Sequence, residues 1–502
     1  MIAPRPKPIT DTIVVGKDIL DLLAGSMYSD PLTIYREYVQ NAADAIDEAR
    51  DMQLPFSQQP DVEIIFDQVE RVVKIRDQGI GIPAHEFAQR LTTIGASQKR
   101  GKKQRGFRGV GRLSALGYCQ ELIFRGRAEG DSKVSEIHWD GRVLREKMRD
   151  QNFSGGLAEI IQAAVTIKTV SSDGFPQRFF EVELRKVSRL RNDLLLNEKM
   201  VRAYLSQVAP VPFRNDFKFR QEIQNHLAQY GIREPIHIDI NDGKGQIFHR
   251  VQNEISLSDT CIDPISNIDY VYYQGADGEI CAIGWIANHS YAGSIPKKHG
   301  LGGIRLRAGN VQVGDESILA ELFSENRFAG WALGDIHIIS QKILPNGRRD
   351  EFEPSLHYSH LQEELTLQTR KVAQRIRERS DQRNRLRTVQ QQLGAAEVWI
   401  KAANERPLPP LLMKVLRNVA DFKLMQAVKE ATKLKEGSDD HTIAVKKILE
   451  LQTALNELPP HSANNDLEKP LATALKVILS SAKNPKAGID LAVEVLNAIE
   501  EA

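Results

Sequence analysis

The hydrophobic periodicity of this 502-residue chain changes once, near Glu353, and that change restricts the fold more than any other feature. Before it, short runs that alternate apolar and polar residues are interleaved with stretches of helical spacing. After it, every periodic stretch is helical. The chain is therefore neither an all-β barrel nor a helical repeat, and the expected class is α+β with an all-helical C-terminal region. No segment repeats internally. At about 150 residues per domain the length leaves room for roughly three domains.

The first segment, 1–196, opens with a helix over Pro31–Arg50, in which Tyr35, Val39, Ala42 and Ile46 share one face. Strand signals follow at Val62–Phe66, Val72–Arg76, Glu121–Arg125, Val165–Val170 and Phe179–Leu184. The second segment, 197–355, reads as a hairpin over Tyr270–Ala287, strands at Gly303–Val313 and Asp335–Ile339, and a helix near Glu316–Phe323. A long polar helix is expected over 356–406. The last segment, 407–502, carries further helices near Leu411–Lys435, Thr442–Leu458, Pro470–Ser481 and Gly488–Ile499.

Lys and Arg number 67 against 66 Asp and Glu, a formal charge of +1, which excludes a generic polycation holding nucleic acid through bulk charge. Cys119, Cys261 and Cys281 are far apart, so neither a disulfide framework nor a zinc site is expected, and a reducing cytoplasm fits best. The twelve histidines form no metal-ligand cluster. No apolar run approaches the roughly 20 residues that span a bilayer, and Met1–Thr10 lacks the apolar core of a signal peptide.

Three polar constellations carry the chemistry. Glu37, Asn41 and Asp44 stand at i, i+4 and i+7, on the helix face opposite the apolar stripe. A carboxylate and an amide so placed suit a general base and a hard-cation ligand for Mg²⁺, and they equally suit a solvated polar stripe. In Asp77-Gln78-Gly79-Ile80-Gly81-Ile82, a strand ends at an acceptor carboxylate beside two glycines. Such a carboxylate can accept from an exocyclic amine, while Ile80 and Ile82 supply apolar contact. Glycine turns after strands are common on other grounds. In Gly106-Phe107-Arg108-Gly109-Val110-Gly111, three glycines precede a helical stretch whose free N–H groups could cradle phosphate. Between the last two, Leu91–Arg105 has the composition of a mobile lid, with Lys99, Arg100, Lys102, Lys103 and Arg105 available to phosphates or simply to solvent.

In this order and spacing the three resemble the N, G1 and G2 boxes of the GHKL ATPases, the group of type II topoisomerases, MutL proteins, histidine kinases, MORC proteins and ninety-kilodalton heat-shock chaperones. The N box Arg36–Ala45 and the stretch Leu91–Ser97 look most like the chaperone versions. The resemblance implies a Bergerat-type ATP-binding α/β sandwich with ATP and Mg²⁺ as cofactors. Glu37 would be the general base, and Asn41 the metal ligand with Asp44 beside it. Asp77, Gly79, Gly81 and Ile82 would hold the adenine, and Ser97, Lys99, Gly106, Gly109, Val110 and Gly111 would serve the phosphates. The presence of Glu37 reads against a histidine kinase, as does the lack of a phosphoacceptor histidine upstream. One departure is visible: where relatives carry a Gly-Thr pair before the last strand, this chain has Gln177-Arg178.

Relatives complete their site with a group from the next domain, and Ile343–Phe352 resembles the chaperone middle-domain loop that carries a catalytic arginine. Arg349 falls at the matching position, with Arg348 adjacent; an ordinary arginine pair in a loop is the alternative. The resemblance implies an ATP-driven clamp, a protein client or partner, and a homodimer. A second output, a DNA-associated ATPase of the MORC or MutL kind in genome maintenance or anti-phage defence, is motivated by Arg370–Arg387. Eight basic residues stand there against Glu378 and Asp381, in a pattern that also suits a solvated helix.

Overall fold

The computed structural model describes residues 30–56, 60–94, 105, 111–150, 153, 156–241, 245–405, 407–458, 468–481 and 484–500. Ser97, Lys99, Gly106, Gly109 and Val110 lie outside these residues, as does most of the expected lid.

Helix α1 (Thr33–Asp51) turns Tyr35, Val39, Ala42 and Ile46 into the core, as the spacing requires. They meet strands β1 (Val62–Asp67) and β2 (Val72–Asp77), which pair antiparallel. After α2 (Ala84–Thr92) come β3 (Glu121–Arg127), β4 (Val134–Asp140), α3 (Gly141–Arg149), α4 (Leu157–Ala164), β5 (Val165–Val170) and β6 (Phe179–Arg185). Helix α5 (Glu198–Val208), α6 (Arg220–Gln229) and the short strands β7 (Ile238–Ile240) and β8 (Gly245–Gln246) follow. All eight strands form one mixed sheet in the order β5-β4-β3-β6-β2-β1-β7-β8. β7 lies parallel to β1, with Val62 opposite Ile238, so a sheet begun in the first sequence segment is extended from the second.

The two faces of this sheet are chemically distinct, because cross-strand partners fall in rows. Ile75, Val182 and Phe124 form one row against the helices. Arg76, Glu181 and Arg125 form the next, on the opposite face. Glu181 accepts from Arg76 Nε and from Arg125 Nη1, both at 2.9 Å. Arg125 also reaches Glu136 at 2.6 Å and bonds to Glu183. All three glutamates and Arg125 are buried.

A second sheet, of order β11-β12-β15-β13-β14, follows the two-stranded β9 (Glu254–Ser258) and β10 (Cys261–Pro264). It comprises the expected hairpin β11 (Asn267–Gln274) and β12 (Ile280–Asn288), then β13 (Gly303–Ala308), β14 (Val311–Val313) and β15 (Leu333–Ile338). The expected helix near Glu316–Phe323 is absent. Asp315 Oδ1 captures the N–H and hydroxyl of Ser317, at 2.7 and 2.6 Å, and only a 3₁₀ turn forms at Ala320–Leu322.

By contact the chain divides into Met1–Ala373 and Gln374–Ala502. Helix α7 (Leu356–Glu405) begins in the first and ends in the second. The second unit also contains α8 (Pro410–Ala431), α9 (Asp439–Glu457), α10 (Glu468–Ser481) and α11 (Pro485–Glu500), around a core that includes Leu416, Leu424, Leu451, Leu475 and Leu496. The architecture is α+β with a helical C-terminal region, as expected. No helix of the described residues is long and apolar enough to cross a membrane, and the three cysteines are free.

Candidate nucleotide site

Helix α1 places Glu37, Asn41 and Asp44 along one side, with Glu37 and Asp44 buried and Asn41 half-buried. The carboxylate of Glu37 sits where residue 111 has no side chain: a Cβ on Gly111 would overlap Glu37 Oε2. Its Oε1 accepts no hydrogen bond among the described residues, and Arg36 Nη2 lies 3.7 Å from it. A buried carboxylate oxygen without a donor is costly unless it is kept for a proton or a ligand. Gly111 starts a short 3₁₀ helix, Gly111–Gly117, held to α1 by the hydrogen bond from Tyr38 Oη to the Arg112 carbonyl at 2.8 Å. Burial pushes the Arg112 guanidinium down to about 10, and it donates to the Thr93 carbonyl.

The glycine turn after β2 is built around Asp77, whose Oδ1 accepts from Gly79 N at 2.8 Å. Its glycines answer the protein's own crowding. Ile80 N bonds to the Ala45 carbonyl of α1 at 3.1 Å, and a Cβ on Gly79 would run into Ala45. Gly81 has φ +70°, and a Cβ there would strike the Arg127 carbonyl. Ile82 is half-buried against the core. This turn therefore locks the end of β2 between α1 and β3.

Gln177-Arg178 lead into β6, where Phe180 stands opposite Asp77. Arg178 lies 5.2 Å over the Phe56 ring, and its Nη2 donates to the Pro55 carbonyl at 2.7 Å. Burial lowers its pKa, against the opposing charges of Glu129 and Asp77. Thr166 and Thr169 are exposed on β5, the outer strand of the sheet beyond β4.

The loop that carries Arg349 meets the helix that carries Glu37. Arg36 Nη2, the atom beside Glu37, donates to the Arg348 carbonyl at 2.9 Å. Arg349 is buried, adopts φ +56°, and donates from Nη2 to the Arg105 carbonyl. Arg105 is turned inward. Its Nη1 donates to Asp47 Oδ2 at 2.7 Å and to Asp44 Oδ1 at 3.3 Å, while its backbone N–H donates to Asp44 Oδ1 at 2.9 Å. Arg105, grouped from sequence with the phosphate-neutralising residues, is thus spent on two aspartates. Arg36 and Asp47 were not singled out from sequence. Their only signal was position, next to Glu37 and three residues beyond Asp44.

Among the described residues no group of three or more His, Cys, Asp or Glu could hold a metal ion. A pocket of about 470 Å³ lies elsewhere, lined by residues such as Phe213, Trp285, Arg307 and His337, and by none of the nucleotide-site residues.

Residues 31–167 match the histidine kinase-, DNA gyrase B- and HSP90-like ATPase family. The chaperone protein HtpG of Klebsiella pneumoniae is 31% identical over 145 residues, covering 25% of this chain and 23% of that protein. HtpG of Baumannia cicadellinicola is 33% identical over 145 residues, covering 25% and 22%. The chain matches less than a quarter of the length of these relatives.

Proposed function

Because residues 31–167 match the histidine kinase-, DNA gyrase B- and HSP90-like ATPase family, we propose that the chain binds ATP with Mg²⁺ and hydrolyses it. Glu37 is the general base, and Arg349 stabilises charge developing on the γ-phosphate. The observation that carries the reading is the Arg36 guanidinium, which touches both the Glu37 carboxylate and the backbone of Arg348. Base helix and arginine loop are thereby brought to one place.

The donor set fits the cofactor. Among the described residues no carboxylate cluster offers a metal seat, so a hard cation would rest on the Asn41 amide oxygen and on the nucleotide's own oxygens. When bound, Mg²⁺ supplies charge neutralisation on the phosphates. The chain's residues do the rest. Glu37 Oε1, buried and without a hydrogen-bond donor among the described residues, can take a proton from water. Asp77 is an acceptor for the base's exocyclic amine, and Gly106, Gly109, Val110 and Gly111, with Ser97 and Lys99, would line the phosphates.

The relatives are named chaperones, so the turnover is proposed to drive a clamp-like cycle on a protein client, in a cytoplasmic setting that suits three free cysteines. The same likeness extends to a homodimer, which light scattering would show or exclude. Within the basic stretch that would serve a DNA-associated output, Arg385 is instead engaged with the Lys433 carbonyl at 2.9 Å. The reading is tested by Glu37→Ala and Asp77→Asn. The first should bind ATP yet turn over ~10²–10⁴-fold more slowly, and the second should raise the ATP Kd about tenfold or more. Normal turnover by Glu37→Ala would remove the base assignment.

A further inference from the structure

Arg105 spends its backbone and side chain on three different elements. Its N–H and Nη1 hold Asp44 and Asp47, about two and three turns beyond Glu37 on α1. Its Nε donates to the Gly309 carbonyl in the β13–β14 turn. Its carbonyl receives Arg349 Nη2. The side chain is 4% exposed, so these contacts are made out of water, where a planar guanidinium fork fixes orientation as well as distance. The β13–β14 turn is shaped to receive it. Gly309 and Asn310 take φ +60° and +62°, and a Cβ on Gly309 would lie 2.6 Å from Arg105 Cγ. Across the same junction, Arg36 Nη2 ties α1 to the Arg348 carbonyl.

We infer that Arg105 is a positioning residue that fixes the Arg349 loop against the Glu37 helix, setting the separation of arginine and base for hydrolysis without touching the nucleotide. This rests on the ATPase reading above. It differs from the phosphate-neutralising role that its place in a basic run suggests, because its Nη1 is bound to two carboxylates and its Nε to a carbonyl. A strut of this kind acts on turnover through Arg349 and leaves nucleotide affinity alone.

The test is a cycle in the full chain. Arg105→Met keeps the stem against Gly309 and removes the fork; Gly309→Ala keeps the fork and displaces the stem. Each should lower kcat at least tenfold while the ATP Kd, measured by titration with a non-hydrolysable analogue, stays within about twofold. Adding Arg349→Ala to either should cost no more than Arg349→Ala alone. An ATP Kd raised tenfold with kcat unchanged would make Arg105 a phosphate ligand and overturn the inference, as would losses that multiply with Arg349→Ala. If Arg105→Met fails to fold, Gly309→Ala decides the question by the same criteria. Failure of the underlying reading looks different: the wild type would not bind the analogue, or Glu37→Ala would hydrolyse ATP normally.

Discussion

Gly111 and Gly81 are both required to lack a side chain, but for reasons that separate catalysis from stability. At Gly111 the obstructed atom is the end of a flexible carboxylate, Glu37 Oε2, which can move aside. Gly111→Ala should therefore leave the melting temperature within about 1 °C of wild type, a shift worth under about 1 kcal/mol for a unit of this size. Turnover should nevertheless fall tenfold or more, because Glu37 is displaced. At Gly81 the obstructed atom is the Arg127 carbonyl and φ is +70°, so nothing can yield cheaply. Gly81→Ala should cost roughly 1–3 kcal/mol in chemical denaturation. If the two substitutions lowered stability equally, the carboxylate would not be the group that Gly111 accommodates.

The charged face of the large sheet is an element-scale feature with a measurable consequence. Burial raises the pKa of Glu183, but hydrogen bonds and charge from Arg125 and Arg185 outweigh it and hold the carboxyl below its ordinary value. Removing the central cation leaves Glu181 and Glu183, 1% and 2% exposed, with much of their compensation gone. Arg125→Met should destabilise by about 3–5 kcal/mol at pH 7, with the loss shrinking as pH falls and Glu183, no longer held ionised by Arg125, takes up a proton. A loss under 1 kcal/mol at pH 7 would mean water screens this face. Elements of this sheet differed in how readable they were. β1, β2, β5 and β6 alternate strongly and their positions followed from sequence. β7 has three residues and owes its existence to a parallel partner more than 170 positions away, which no local pattern records. Glu316–Phe323 has helical spacing but is too short to pay for its own nucleus against a competing Asx turn. The site divides likewise: Glu37, Asn41 and Asp44 are legible as one helix face, whereas the work of Arg105 depends on contacts 58 to 244 residues distant.

At the scale of the whole molecule, the second sheet makes stability depend on pH near neutrality. Burial holds the His337 imidazole down to about 3. Burial also lowers His249, although Asp335 opposes the shift. Above about pH 6.5 both are neutral whether folded or not. Between that pH and their folded values only the unfolded chain takes up the protons, so stability drops as pH falls, by up to about 1.4 kcal/mol per pH unit for each histidine. Denaturation of wild type and His337→Gln at pH 7 and pH 5 should show the variant losing less, by about 1–3 kcal/mol; equal losses would remove His337 from the account. The parallel pairing of β7 with β1 also has a meaning in time. A chain emerging from synthesis offers the free edge of β1 long before residue 238 exists, and the sheet cannot close while translation is still short of it. Until then that edge is open to any other strand, so a nascent or prematurely ended chain carries an adhesive border that the finished one has covered with its own later residues.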